Sequence, residues 1–78
     1  MEKQEKEIII KTEYIKLDSF LKLSNICSSG GEAKMRILDG EFKVDGEVCL
    51  QRGKKLRPGM KVNAEGAEYI IKAEENKP

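Results

Sequence analysis

The chain has 78 residues, enough for one small domain, and its 15 basic and 14 acidic side chains give a formal net charge of +1. It contains no histidine and no CxxC pair, so the commonest general base and the usual zinc-binding patterns are missing. The N-terminal segment mixes acids with bases, and no stretch approaches the roughly 20 apolar residues of a membrane span. We therefore expect a cytoplasmic protein that is not an enzyme and that uses no metal or other cofactor.

The first 24 residues are predicted to pass from a tail to a strand to a helix. Residues 1–7 (MEKQEKE) are dominated by charged side chains and are expected to be a solvated tail. The run Ile8–Ile10 is β-branched and favours a short strand. From Leu17 the apolar residues recur at helical spacing, which predicts a helix over about Ser19–Ser24 with Asp18 as its N-cap.

A second helix is predicted after the small-residue loop CSSGG. Ser29 and Glu32 form an S-x-x-E capping box, in which each side chain satisfies a free backbone N–H group at the helix start. The helix is expected over about Gly30–Leu38, and Gly40 can supply the left-handed residue that ends it.

The next segment alternates apolar and polar residues with period two, which is typical of strands. Phe42 and Val44 share one face, and apolar residues resume at Val48 after Asp45-Gly46. A two-residue turn at Asp45-Gly46 would set Val44 opposite a glutamate. An odd loop that pairs Val44 with Val48 suits the hydrophobic pattern better, and we expect that register.

The last strands are predicted to be joined by tight turns. Pro58-Gly59 fits a type II turn, because proline fixes φ and glycine accepts a positive φ. A two-residue turn at Glu65-Gly66 then pairs Ala64 with Ala67. The further pairs of this hairpin include Val62 with Tyr69.

The predicted elements follow the order strand, two helices and then a run of short strands, without repeats. This order indicates one α+β domain over residues 8–73, with two short N-terminal helices packed on a small, mostly antiparallel sheet. Residues 74–78 are expected to be a C-terminal tail. Phe20 and Phe42 fall at predicted core positions, and the two tyrosines at half-buried ones.

The sequence QRGKKLRPG, residues 51–59, contains a basic loop over residues 52–57, with Arg52, Lys54, Lys55 and Arg57. From Arg52 to Lys61 there are five bases and no acid, although the chain has 14 acids. Like charges placed side by side cost free energy unless they are well solvated or meet an anion. A solvated surface loop is one interpretation. The other is a phosphate-binding loop, since Lys and Arg on a fixed scaffold bind nucleic-acid backbones.

The start of the second helix is the other candidate anion site. Gly30 and Gly31 each cost roughly 1 kcal/mol relative to alanine in a helix. They let a phosphate come close to the free N–H groups, or else allow tight packing against the first helix. Lys34 is predicted to lie inside the apolar arc, with Ala33 and Ile37 on one side and Leu38 on the other, so its ammonium must reach outward or meet a counter-charge.

Few aromatic side chains are available for stacking on nucleic-acid bases. The chain has two Phe, two Tyr and no Trp, which argues against stacking of single-stranded bases as the main binding mode. A structured RNA that is read through its backbone and shape fits better. A membrane partner is disfavoured, because the chain has no basic amphipathic helix and no lipidation signal.

Three short boxes, taken in order, resemble the S-four RNA-binding domain, also called the alpha-L motif. Lys16-Leu17-Asp18 matches the opening box, and Ser29 with Ala33 matches the second. The third box is matched by Ile37-Leu38, Gly40, Phe42, Val44 and Asp45-Gly46. The resemblance spans about residues 15–62 and is greatest to the small stand-alone bacterial members, which carry SGG-x-AK.

This resemblance implies a non-catalytic RNA binder, often associated with ribosomal or transfer RNA, whose second helix and adjoining loops face the RNA. Carried over by position, it implies contacts at Lys16, Ser29, Lys34 and Lys43. Gly30 departs from the family pattern, which has arginine after the serine, so backbone N–H groups replace that contact or affinity falls. The full predicted set of RNA-binding residues is Lys16, Lys22, Ser29, Gly30, Gly31, Lys34, Lys43, Arg52, Lys54, Lys55 and Arg57.

Two other classes of function stay open at the level of sequence. One is a protein-interaction adaptor that docks its basic loop on an acidic partner. The other is a thiol enzyme using Cys27 or Cys49, which the absence of histidine disfavours. Two cysteines are few for a secreted mini-protein, so we expect reduced, partly buried thiols. We expect a monomer that binds structured RNA and no small-molecule substrate.

Overall fold

A computed structural model describes residues 4–74 of the chain. Within that range the elements are β1 (Gln4–Ile10), β2 (Ile15–Lys16), α1 (Leu17–Leu23), α2 (Gly30–Leu38), β3 (Lys43–Val44), β4 (Glu47–Val48), β5 (Lys55–Leu56), β6 (Lys61–Ala64) and β7 (Ala67–Ala73). The first part of the predicted N-terminal tail and nearly all of the predicted C-terminal tail lie outside the described residues.

The strands form two sheets. Five of them run in the order β1-β7-β6-β3-β4, and β2 with β5 forms a separate two-stranded sheet. Strand β1 is parallel to β7, and the other described pairs are antiparallel. The prediction of an α+β domain with a mostly antiparallel sheet is confirmed. The helices are less N-terminal than predicted, because β1 and β2 precede them in the chain.

Strand β1 begins inside the segment that was predicted as a tail. Residues 4–7 pair with β7 in continuous register, with Glu7 opposite Ile70. Glu and Lys have low β-propensity, but charged side chains are common on edge strands, where they deter pairing with other chains. Here Glu7 Oε2 also lies 3.1 Å from Lys72 Nζ. The domain limits at residues 8 and 73 stay predictions.

Helix α1 begins two residues earlier than predicted, and Asp18 is not its N-cap. The Asp18 carboxylate accepts the N–H group of the next residue at 2.7 Å. The free N–H groups of Leu17 and Asp18 instead donate to the backbone carbonyl oxygens of Lys54 and Arg52, at 2.9 and 3.1 Å. Backbone from a distant part of the chain therefore replaces a side-chain cap, and no local pattern predicts such a cap.

Helix α2 has the predicted limits, and its capping box is only half formed. The Ser29 hydroxyl accepts the Glu32 N–H group at 3.2 Å, as predicted. The Glu32 carboxylate does not return to Ser29 but accepts the N–H group and the hydroxyl of Ser28, at 3.0 and 2.8 Å. At the other end Gly40 has φ +77°, so the predicted left-handed residue is confirmed.

The predicted register of the β3–β4 hairpin is wrong. Val44 pairs with Glu47, and Lys43 pairs with Val48. Asp45 and Gly46 both have positive φ (51° and 88°), which is the two-residue turn that matches the twist of a hairpin. Val48 is 51% exposed, so burial of this valine does not constrain the register as the hydrophobic pattern suggested.

The turns predicted nearer the C-terminus are confirmed. Gly59 has φ +95°, and the Met60 N–H group donates to the Arg57 carbonyl at 3.0 Å across the Pro58-Gly59 turn. In the β6–β7 hairpin Ala64 lies opposite Ala67, and the next inward-facing pair is Val62 with Tyr69.

The core lies between the helices and the inner face of the five-stranded sheet. Its members include Leu17, Phe20, Leu21, Ala33, Ile37, Phe42, Val44, Val62, Tyr69 and Ile71. The rings of Phe20 and Tyr69 meet edge to face with centroids 5.4 Å apart, which joins α1 to the sheet. Both phenylalanines are buried as predicted, Tyr69 is more buried than predicted, and Tyr14 is half-buried.

Candidate nucleic-acid interface

The small β2–β5 sheet gathers cations from two distant segments on one face. Ile15 pairs with Leu56, and both side chains pack against the core. Because successive side chains of a strand point to opposite faces, the neighbouring Lys16 and Lys55 point away from the core. Tyr14 and Arg57 flank them on the same side. We call these four residues, Tyr14, Lys16, Lys55 and Arg57, the cationic face.

Repulsion within the cationic face makes it suited to an anion. Lys16 and Lys55 are directly opposed across the two strands. Like charges at opposed positions destabilise a strand pair. Within residues 4–74, neither these lysines nor Arg57 has a carboxylate oxygen within 4.0 Å. A phosphate from outside would relieve the repulsion and accept charge-assisted hydrogen bonds.

Tyr14 is the aromatic member of the cationic face. Lys55 Nζ lies 4.9 Å from the centroid of its ring, and Arg57 Cζ lies 5.6 Å from the same centroid. Both distances are within the range of a cation–π interaction. Sequence reasoning treated Tyr14 only as a half-buried residue. Its position two residues before Lys16 in an extended segment was a signal that both would share a face.

The basic loop is fixed to the start of helix α1 through its backbone. The carbonyl oxygens of Lys54 and Arg52 accept the N–H groups of Leu17 and Asp18, and Lys54 N–H donates to the Gln51 carbonyl at 3.2 Å. The side chains of Arg52, Lys54, Lys55 and Arg57 remain exposed. The loop is therefore held by its main chain while its charged side chains face solvent.

The glycines at the start of helix α2 have open space around them. A Cβ atom at Gly30 would meet nothing within 4 Å, and one at Gly31 would meet only the Ser29 hydroxyl at 4.0 Å. Tight packing against α1, the alternative explanation of this glycine pair, therefore does not apply. The first N–H groups of a helix have no partner within the helix, so an anion that approaches this open side could bind them.

Lys34 does not lie inside an apolar arc as predicted. Leu38 is 59% exposed and Met35 is 68% exposed, so the buried side of α2 is narrower than the sequence indicated and contains Ala33 and Ile37. Lys34 is exposed beside these apolar residues. Its ammonium needs no counter-charge from the fold, and it remains available to an external anion.

The described ion pairs separate the cations into two groups. Carboxylates within 4.0 Å are found for Lys11, Arg36, Lys61 and Lys72. In the part of the chain that the structure describes, none is found for any cation of the predicted RNA-binding set: Lys16, Lys22, Lys34, Lys43, Arg52, Lys54, Lys55 and Arg57. All cations of the predicted set are thus cations that the described residues do not neutralise; Lys6 is also without a carboxylate there but was not in the predicted set.

The elements that carry these residues match a known family. A family model described as the S4 domain covers residues 8–72. The chain belongs to the S4 domain family. The predicted resemblance is thereby confirmed over most of the chain.

Two curated proteins resemble most of this S4 domain. One, from Bacillus subtilis (strain 168), is described as a probable ribosome maturation protein, RlbA, and is 44% identical over 59 residues, or 76% of this chain and 83% of its own. YbcJ of Escherichia coli (strain K12) is 33% identical over 63 residues, or 81% of this chain and 90% of its own.

A solved structure shares the fold. The solution structure of E. coli YbcJ has a TM-score of 0.63 at 29% identity, and the match covers 94% of this chain and 91% of that one. That structure is described as revealing an alfaL motif involved in RNA binding. The alpha-L arrangement predicted for this S4 domain is therefore confirmed.

Two predicted contacts of the S4 domain, Lys22 and Lys43, belong neither to the cationic face, nor to the basic loop, nor to the start of α2. Lys22 is exposed in the last turn of α1. Lys43 points to the outer face of the five-stranded sheet, because its neighbours Phe42 and Val44 fill the core. There it borders an opening that also contains Glu68. The structure thus places Lys43 on the sheet face away from the helices, and the predicted cations do not all share one surface.

Arg36, which was not singled out from the sequence, is a cation that links several parts of the fold. Its guanidinium donates to Glu41 Oε1 at 2.8 Å and to Glu65 Oε2 at 2.9 Å, and Glu32 lies 3.6 Å away. It also packs over the Phe42 ring, with Cζ 5.2 Å from the centroid. The hydrogen bonds that Arg36 donates to the carboxylates of Glu41 and Glu65 raise the pKa of its guanidinium above the ordinary value for arginine.

The remaining titratable groups near α2 have structural surroundings. The hydrogen bonds from Ser28 lower the pKa of Glu32 below its ordinary value, which keeps this carboxylate ionised beside the helix start. Burial raises the pKa of the Cys27 thiol, although the charge of Arg36 acts in the opposite direction. Thiolate is the reactive form of cysteine, so these surroundings disfavour Cys27 as a nucleophile. Cys27 and Cys49 are both free thiols.

Residues 4–74 contain neither a helix that could span a bilayer nor a cluster of metal-ligating side chains. Neither described helix is long and apolar enough to span a bilayer. Over the same residues no group of three or more potential metal-ligating side chains comes together.

Proposed function

We propose that this S4 domain is a non-catalytic module that binds structured RNA, ribosomal or transfer RNA, through its phosphates in the bacterial cytoplasm. We expect it to act as a monomer without a membrane or small-molecule ligand. The observation that carries the proposal is the cationic face, where Lys16, Lys55 and Arg57 stand together with no carboxylate among residues 4–74 to neutralise them. The descriptions of RlbA, which name ribosome maturation, and of YbcJ, which name RNA binding, support it.

The proposed RNA contacts come from three parts of the chain. The first is the cationic face with the adjoining basic loop, the second is the start of α2, and the third is a pair of separate lysines. The residues are Lys16, Arg52, Lys54, Lys55 and Arg57; Ser29, Gly30, Gly31 and Lys34; and Lys22 and Lys43. Because the main chain of the basic loop is anchored to α1, its cations lose less conformational entropy on binding than cations of a flexible tail.

The start of α2 supplies a different kind of contact. The Ser29 hydroxyl satisfies the N–H group of Glu32, but the first N–H groups of a helix have no partner within the helix. Gly30 and Gly31 leave space through which a phosphate oxygen can reach them. Lys34, one turn later, adds a positive charge on the exposed side.

Contacts of this kind favour RNA shape over RNA sequence. Phosphate contacts fix the position of a nucleic acid and carry no direct information about its bases. Tyr14 and Tyr69 are the tyrosines of the chain; one ring lies under two cations and the other is buried, so neither offers a free stacking surface. We therefore propose modest sequence specificity and a preference for structured RNA.

Equal charge removal at two places tests the proposal. The test variant replaces three loop cations: Lys54→Gln, Lys55→Gln and Arg57→Gln. The control variant replaces three ion-paired lysines: Lys11→Gln, Lys61→Gln and Lys72→Gln. With a structured ribosomal RNA fragment at about 0.1 M salt, we expect about a hundredfold loss of affinity for the test variant and less than about threefold for the control. Urea unfolding checks that both variants fold.

Equal losses in the two variants would show that only the net charge matters, and the proposed interface would be wrong. Competition separates the remaining alternative, an adaptor for an acidic protein. Ribosomal RNA should displace the bound RNA at far lower concentration than polyglutamate of equal charge, and the reverse order would favour the adaptor. Crosslinking in cells followed by sequencing of the bound RNA would then name the target.

A further inference from the structure

The cationic face holds two flexible cations against one aromatic ring. Lys55 is the first residue of β5 and Arg57 directly follows the strand, with Leu56 between them buried in the core. Their side chains therefore share a face, and both charged groups approach Tyr14, at 4.9 and 5.6 Å from its ring centroid. Neither has a carboxylate partner among the described residues.

An aromatic ring suits this position better than an acid would. The face of the ring carries partial negative charge and attracts a cation without neutralising it. A carboxylate in the same place would form ion pairs and compete with a phosphate for the same donors. The ring can therefore hold both cations close together and leave their hydrogen-bond donors free.

Holding the two side chains in place has a consequence for binding. Lys and Arg have several rotatable bonds, and ordering such side chains at an interface opposes association. Cations that already lie against an aromatic ring have lost part of this freedom before the RNA arrives. Binding then costs less entropy than it would from freely moving side chains.

We propose that Tyr14 is a positioning residue of the RNA interface, which pre-orders Lys55 and Arg57 as a pair for the phosphate backbone. This inference rests on the proposed function. Tyr14 acts through the two cations and does not itself contact the RNA. Its contribution requires the ring and not the hydroxyl, because the described hydrogen bond of this residue uses the backbone carbonyl, which accepts from Thr12 Oγ1 at 2.7 Å.

Substitutions of Tyr14 separate the ring from the rest of the side chain. We expect Tyr14→Phe to bind a structured ribosomal RNA fragment within about twofold of the unmodified protein, and Tyr14→Leu to bind about fivefold to tenfold more weakly. Phenylalanines with one, three and five ring fluorines at this position should weaken binding progressively, since fluorine withdraws charge from the ring face while its size changes little. This series keeps the test valid if the leucine variant unfolds.

A double-mutant cycle provides a result that a merely structural role would not give. In a background carrying Lys55→Gln and Arg57→Gln, Tyr14→Leu should have no further effect on RNA affinity, because the cations through which it acts are gone. If Tyr14→Leu weakens binding equally in both backgrounds, the ring contacts the RNA directly or supports the fold, and the inference is wrong.

The outcomes also separate this inference from the proposed function. If Lys55→Gln with Arg57→Gln leaves RNA affinity unchanged, the proposed interface itself fails. If that pair weakens binding while Tyr14→Leu and the fluorinated series do not, the interface stands and only the role of Tyr14 is overturned.

Discussion

Arg36 and Arg57 place the same guanidinium group in opposite environments. Arg36 donates to Glu41 and Glu65 at 2.8 and 2.9 Å, and its side chain is 20% exposed. Arg57 is exposed, lies over the Tyr14 ring and has no carboxylate partner within residues 4–74. Donors that are satisfied inside the fold hold it together, whereas donors that face solvent remain available to an anion.

The difference shows that the partners of a cation, and not its charge, indicate its role. The acids that surround Arg36 come from helix α2, from the loop after it and from the β6–β7 turn. Glu32 stands at helical i, i+4 spacing from Arg36, but Glu65 is 29 residues away in the sequence, so its contact with Arg36 cannot be read from neighbouring residues. The basic loop was recognisable because ten consecutive residues contain no acid, which is a local property.

The largest effect on stability is expected when Arg36 and Arg57 are replaced one at a time by methionine. Methionine keeps a flexible apolar side chain and removes the charge. Arg36→Met should lower the free energy of unfolding by about 2 kcal/mol, because it leaves carboxylates without their donor and removes packing on Phe42. Arg57→Met should change it by less than about 0.5 kcal/mol. Urea unfolding of both variants measures this contrast.

RNA affinity should show the reverse order for the same pair. We expect Arg57→Met to bind about tenfold more weakly, and folded Arg36→Met to bind within about twofold of the unmodified protein. Arg36→Met serves as the control, since both variants remove one arginine charge. A folded Arg36→Met protein that has lost RNA affinity would break the distinction between the two sites.

Features set by neighbouring residues were predicted well from the sequence. Helix α2 and its Ser29 cap, the left-handed Gly40 and the Glu65-Gly66 turn each depend on a few consecutive residues whose backbone preferences agree. The order of the three boxes was also enough to indicate the family, which the match over residues 8–72 confirms.

Features set by distant residues were missed. The cap of α1 comes from the carbonyl oxygens of Arg52 and Lys54, and the opposition of Lys16 to Lys55 exists only because β2 pairs with β5. The wrong register of the β3–β4 hairpin has a related cause, since Val48 is exposed and its hydrophobicity carried no information about the core. The sequence thus indicated which cations lack acids near them in the chain. It did not indicate which of these cations lie next to one another in the folded protein.

A smaller effect is expected from adding an arginine at the start of helix α2. Gly30 stands where the S-four pattern has arginine, and a side chain there would enter open space. Gly30→Arg should raise RNA affinity by about fivefold to tenfold, with about one additional counterion released on binding, because the new guanidinium can reach a phosphate at the helix start. Gly30→Ala is the control for the backbone effect of losing glycine. Weaker binding by both variants would indicate that the phosphate needs the space itself.

The smallest effect on stability is expected at Lys16, where repulsion inside the cationic face can be measured directly. Lys16→Gln removes one of two opposed like charges and should raise the free energy of unfolding by a few tenths of a kcal/mol at low salt. The gain should shrink as salt screens the repulsion that remains in the unmodified protein.

The same change, Lys16→Gln, should weaken RNA binding by about threefold, because a phosphate loses one donor. Stability and affinity moving in opposite directions would identify a surface that is strained without its ligand. If Lys16→Gln instead lowers stability, the opposed lysines do not repel each other. Relief of repulsion could then not be the reason that the cationic face binds an anion.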